Sequence, residues 1–255
     1  MPDFSYEKPP ENISFGDRFK NAVKRITGAA DRLKDPQEIP GVEFNKTILV
    51  QYRLRDDRFF EEPTPDNRYG VFRNRRIIGR DVPINKGVYL GGSSREAIVV
   101  DDEKMPTLDI LYGDLQWNIK SRGGDYKTES LSEVFKLVSK ELPFSETEVA
   151  RIAREKQLEP DDKIGIDVYI GRGGVCRHQA LLCAYLLERL CHDGYLGGKV
   201  SVDRNYVEGK GGHAWCRYTS KSGKVFILDV AQGYKGHIED VDTKWQWFYK
   251  RPGEK

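Results

Sequence analysis

The sequence predicts an α+β protein: one buried helix packed on an antiparallel sheet, preceded by a β-rich region. Three observations carry this. Apolar residues recur at helical spacing from Ser130 to Leu158. The segment after Gly174 is apolar almost all round through Leu190, the pattern of a central helix. From Lys199 to Val230 the periodicity switches to two, the pattern of strands with one buried face.

Residues 1–45 read as a docked arm with one helix. Pro9-Pro10, Pro36 and Pro40 surround a pattern in which Phe19, Val23, Ile26 and Ala30 recur at helical spacing. Residues 46–127 form the β-rich region, with strands expected at Lys46 to Leu54, Arg76 to Ile78, Gly87 to Leu90, Ala97 to Val100 and Leu108 to Tyr112. Eight arginines (Arg53, Arg55, Arg58, Arg68, Arg73, Arg75, Arg76, Arg80) mix here with Phe59, Phe60, Tyr69 and Phe72. Such a mixture suits nucleic acid or an acidic partner, but the nearby Asp56, Asp57, Glu61 and Glu62 favour a solvated, locally paired face.

Residues 128–255 carry the helices and the sheet. Ser130 with Glu133, and Ser145 with Glu148, fit capping boxes. The first predicted helix buries Leu131, Val134, Phe135, Val138 and Leu142 and stops at Pro143; the second buries Val149, Ile152 and Ala153. A short β-like run, a Gly-rich turn at Gly171 to Gly174 and the long apolar helix follow. Lys199 to Val207, His213 to Tyr218 and Lys224 to Val230 then read as three strands.

Composition sets bounds on function. With 42 basic against 40 acidic residues in 255, no global field is directed at nucleic acid. No run approaches the roughly eighteen apolar residues of a membrane span, and Met1 to Ala30 lacks the apolar centre of a secretion signal. A cytoplasmic setting without membrane attachment is expected, with export by another route left open. The four cysteines (Cys176, Cys183, Cys191, Cys216) are spaced unlike a disulfide framework and read as reduced.

The chemistry converges on Cys176, at the junction of the Gly173-Gly174 turn and the long helix. Free N–H groups and the positive end of the helix dipole favour a thiolate there, and Arg177 and His178 add positive character. The flanking glycines are expected to let a substrate backbone approach, and the Cys176 N–H to face a developing oxyanion. Cys183 and Cys191 read as inert packing.

A thiol nucleophile needs a base in reach and a group that orients the base. Of the four histidines, His178 points to another side of the helix and His192 sits at its far end, which leaves His213 as base and His237 in reserve. A three-residue hairpin loop, Lys221 to Gly223 with Gly in the left-handed position, sets Trp215 opposite Asp229. His213 and Asp229 are then diagonal neighbours on one face, and Asp229 becomes the orienting acid.

The runs GGVCRHQALLCAYLLERL, GGHAWCRY and VFILDVAQGY resemble the three core motifs of the transglutaminase-like superfamily. The likeness covers about residues 128 to 235 and implies a papain-like fold with Cys176, His213 and Asp229 as a catalytic triad. Members often supply a Trp donor to the oxyanion from upstream of the cysteine; Trp117 is the sole upstream Trp, and a core or hairpin role is expected for it. The expected activity is cysteine-dependent acyl transfer on amide carbonyls of a protein or peptide substrate through a thioester. Hydrolysis is slightly favoured over transamidation, and no metal or cofactor is required. The alternatives are a degenerate binding module that keeps the fold without turnover, and a zinc site built from Cys176, His178, Cys183 and a distant ligand such as Cys216, whose spacing fits no compact zinc pattern.

Overall fold

The chain's elements follow from where its apolar residues fall, as seen in a computed structural model that describes strand backbone at Val42–Glu43 and Phe60–Glu61 and residues 69–254 apart from 92–94, 122, 124, 208, 242–246 and 252. The arm helix, the strand Lys46 to Leu54 and Arg53, Arg55, Arg58 and Arg68 lie outside the described residues. All described residues belong to one unit, Asp35–Lys255.

The fold is α+β, with two sheets and four helices among the described residues. Strands β1 (Val42–Glu43), β2 (Phe60–Glu61), β3 (Val71–Phe72), β4 (Arg75–Ile77), β5 (Gly87–Leu90) and β6 (Ala97–Val100) precede the helices. β5 and β6 coincide with the expected runs and are buried along their whole length. The run Leu108 to Tyr112, expected as a strand, is instead part of helix α1 (Pro106–Ser121). Its apolar residues continue as Leu108, Leu111, Leu115 and Ile119, a spacing of three and four that buries one helical face.

Helix α2 (Tyr126–Glu141) starts a turn before the expected box. Asp125 caps it through Lys127 N–H, while the Ser130 hydroxyl bonds back to the Tyr126 carbonyl inside the helix. Helix α3 (Glu146–Glu155) has the expected cap, with the Ser145 hydroxyl accepting from Glu148 N–H at 3.1 Å. The short run after it is β7 (Lys163–Gly165), which joins β6 in parallel and completes a six-stranded mixed sheet in the order β2-β3-β4-β5-β6-β7. A segment of the 128–255 region thus shares a sheet with the region before it.

Helix α4 (Cys176–His192) is the buried centre. Leu181, Leu182, Leu186, Leu187 and Leu190 are sealed from solvent, and each removes enough apolar area from water to contribute about 2 kcal/mol. α4 packs on β8 (Gly198–Val207), β9 (Gly211–Ser220) and β10 (Val225–Asp229), and also against α2. With β11 (Tyr234–His237) these strands form an antiparallel sheet in the order β1-β8-β9-β10-β11.

The β9–β10 hairpin has the expected register. Ser220 N–H donates to the Lys224 carbonyl, Leu228 faces Cys216, and Gly223 closes the loop at φ +83. One face of the hairpin, with Ala214 and Cys216, joins the main core; the other carries Trp215 and Ile227 into a second cluster with Ile238 and Tyr249.

Candidate active site

The loop before Cys176 is held from behind. Val175 N–H donates to His178 Nδ1 at 3.1 Å, so the histidine one turn into α4 ties down the residue before Cys176. The other ring nitrogen lies 3.2 Å from Glu96 Oε1 on β6's flank, close but off the N–H axis. Burial holds His178 down at about 4 despite that carboxylate, so the ring is neutral. Arg177 Nη2 pairs with the same Glu96 oxygen at 2.6 Å, both side chains buried. Burial alone would raise Glu96, but His178 and Arg177 outweigh it and bring the carboxyl to about 2. Arg177 therefore does not face the sulfur as a free cation; it closes a buried ion pair.

The glycines before Cys176 also let the loop pack tightly, a use the sequence expectation does not include. A Cβ on Gly174 would stand 2.8 Å from the Cβ of His178, and one on Gly173 3.1 Å from the Pro143 carbonyl.

Cys176, His213 and Asp229 are brought together. Cys176 is the first residue of α4 and partly exposed; the His178 N–H already donates to the Val175 carbonyl at 2.9 Å, which leaves the N–H groups of Cys176 and Arg177 without an acceptor within the helix. Its sulfur lies close enough to the His213 ring and the Ala214 main chain for both to favour the thiolate. His213 Nε2–H donates to Asp229 Oδ2 at 2.6 Å, which leaves Nδ1 for the sulfur. Asp229 also accepts from the Tyr249 hydroxyl at 2.7 Å and from Gln232 N–H at 3.2 Å.

Electrostatics follow the geometry. Burial would raise the Cys176 thiol, but its bond to His213 and that ring's charge hold it below the ordinary value of 9.0. Burial would lower His213, yet Asp229 and the sulfur push it up to about 9. The two shifts run in opposite directions, the thiol down and the imidazole up, as expected of groups that stabilise each other's charged forms. The other cysteines behave oppositely: burial raises Cys183 and Cys216, and takes Cys191 up to about 11.

The remaining sequence candidates fall elsewhere. His192 is exposed and pairs with Asp193 at 3.0 Å. His237 caps a short turn through Glu239 N–H and packs its ring against Phe226. Trp117, expected in a core or hairpin, lies on α1 with 71% of its surface exposed. Among the described residues no group of three or more His, Cys, Asp or Glu is arranged to hold a metal ion, and His178 of the zinc alternative faces Glu96. The described arginines serve the fold: Arg75 pairs with Asp101 at 2.7 Å, Arg73 lies 3.9 Å from Asp162, and Arg76 donates to the Asn85 carbonyl.

Two residues near the site were not singled out from the sequence. Trp247 stacks on the His213 ring at 4.5 Å, and Tyr249 shares Asp229 with it. The dense aromatic run WQWFY was the available signal. No family model, curated protein or solved structure matches the chain.

Proposed function

We propose that the chain is a cysteine-dependent acyl-transfer enzyme with a papain-like, transglutaminase-like core, acting on an amide carbonyl of a protein or peptide. One observation carries the reading: a partly exposed sulfur at the head of a buried helix lies within electrostatic reach of an imidazole whose Nε2 is fixed by a buried carboxylate. A packing cysteine has no use for that arrangement, and Cys183 and Cys216 lack it.

In the proposed reaction the proton of the thiol resides on His213 Nδ1 and the Cys176 thiolate adds to the carbonyl carbon. The oxyanion forms at the α4 N-terminus, where the Cys176 N–H and the helix dipole favour negative charge. Collapse breaks the C–N bond as imidazolium protonates the departing amine, leaving a thioester. Water then yields a carboxylic acid, and an amine yields a new amide; His213 takes the incoming proton in either case and the thiol is regenerated.

The test is incubation of the purified protein with glutamine-containing peptides, with and without an amine donor, followed by mass spectrometry. Acyl adducts confined to Cys176, with cleaved, deamidated or cross-linked products that vanish in Cys176→Ser, are expected. Absence of any Cys176-dependent adduct or product across a broad peptide set would leave the binding-module reading in its place.

A further inference from the structure

Residues 247–251 lie across the sheet face that carries His213, and buried polar contacts fix them there. The Phe248 carbonyl accepts from Asn205 Nδ2 at 3.0 Å, and Asn205 stands directly opposite His213 in the β8–β9 register. Arg251 binds both oxygens of Asp203 at 2.7 Å and reaches Asp81 at 2.9 Å. Asp203 is 1% exposed and stands opposite Trp215. Burial would raise its carboxyl, but Arg251 brings it to about 2. Arg217 pairs with Glu254 from the same face.

Two aromatic side chains from this segment reach the site. Tyr249, 2% exposed, packs edge-on against Trp215 at 5.1 Å and stacks on Tyr234 at 5.7 Å, which aims its hydroxyl at Asp229 Oδ2. That oxygen is also the acceptor of His213 Nε2. Trp247 lies nearly parallel on the imidazole, with an interplanar angle of 20°.

We propose that residues 247–251 form a strap that sets the charge balance of the His213 ring, with Tyr249 and Trp247 as positioning residues acting in opposite directions. The inference rests on the thiol chemistry proposed above. Tyr249 donates to the carboxylate oxygen that His213 uses, so it spreads that oxygen's negative charge and weakens its hold on the imidazolium. Trp247 offers the imidazolium a π face and keeps water from that side of the ring, which favours the charged form. The other groups facing the ring are the Cys176 sulfur on α4, Asp229 on β10, and the Trp215 ring two residues on along β9 at 6.1 Å.

The experiment measures the rate of iodoacetamide alkylation of Cys176 against pH in the full chain, for wild type, Tyr249→Phe, Trp247→Leu and His213→Ala. Phe keeps the stacking of Tyr249 and removes only its hydroxyl; Leu keeps an apolar cover and removes only the π face. The strap predicts that the alkaline transition assigned to His213 moves up by about half a pH unit in Tyr249→Phe and down by about as much in Trp247→Leu. General loosening of the fold would move both the same way. Coincident profiles, or shifts in a common direction, overturn the strap. Alkylation in wild type that is indifferent to His213→Ala overturns the thiol reading itself. Trp247 is only partly buried, so its variant keeps the test open should Tyr249→Phe fail to fold.

Discussion

Asp229→Asn removes a charge and almost no volume from the buried centre of the site. In the native protein His213 rises from 6.5 to about 9, which corresponds to about 3 kcal/mol favouring the charged ring at 1.36 kcal/mol per pH unit. Asp229 leads the influences that oppose burial, ahead of the sulfur, so about 2 kcal/mol of that is expected to go with its charge. The imidazolium then titrates about 1.5 pH units lower, at about 7.5, so the ring keeps most of its charge at pH 7 and has lost most of it by about pH 8. The assay is the second-order alkylation rate of Cys176 against pH, with the site confirmed by peptide mapping. A roughly fourfold loss at about pH 8, where the charged fraction of the ring falls from about nine-tenths to about a quarter, is expected, with little change at pH 7 and the alkaline transition displaced downward. An unchanged profile in a folded Asp229→Asn protein would refute the claim that the carboxylate governs the pair.

Other consequences concern stability. His178 is held neutral at about 4 against 6.5 when unfolded, so from pH 6.5 downward the unfolded chain takes up a proton that the native state refuses. Stability should fall by about 3 kcal/mol between pH 6.5 and 4, and a urea midpoint constant over that range would contradict it. Glu96 carries stability that is complete above 4.5 and is lost as pH falls through about 2, which deepens the acid lability. Glu96→Gln leaves Arg177 buried without its counter-ion, and a loss of about 3 to 5 kcal/mol is expected in urea titration at pH 7; a loss below about 1 kcal/mol, typical of an exposed pair, would place the pair in solvent. Gly198→Ala puts a Cβ 2.2 Å from the Thr219 carbonyl at φ +128 and should cost at least about 2 kcal/mol. Gly194→Ala, with open space at φ +80, should cost about 1 kcal/mol; equal losses would count against the β8–β9 register.

What the sequence made legible was local. Gly223 fixed the hairpin loop, and the register set Asp229 beside His213 without any knowledge of the third dimension. The apolar continuity of Leu181 to Leu190 told that α4 is central. The failures arose where a short window hid a longer period or a distant partner. LDILY alternates well enough for a strand until Leu115 and Ile119 are counted with it. Ser130 has the residue type of a cap, but its hydroxyl is used by the carbonyl one turn back. His178 was placed away from the sulfur correctly, yet its function came from Glu96, 82 residues upstream, which no periodicity connects to it. That Gly173 and Gly174 also make room for Pro143 and His178 could be known only from the fold.

The most direct measurement is the pH titration of thiolate ultraviolet absorbance, as the difference between wild type and Cys176→Ser, repeated in a His213→Ala background. A sulfur ionised well below the ordinary thiol range, whose midpoint climbs when the imidazole is removed, is what the proposed pair requires. A midpoint at the free-cysteine value, the same with and without His213, would contradict it.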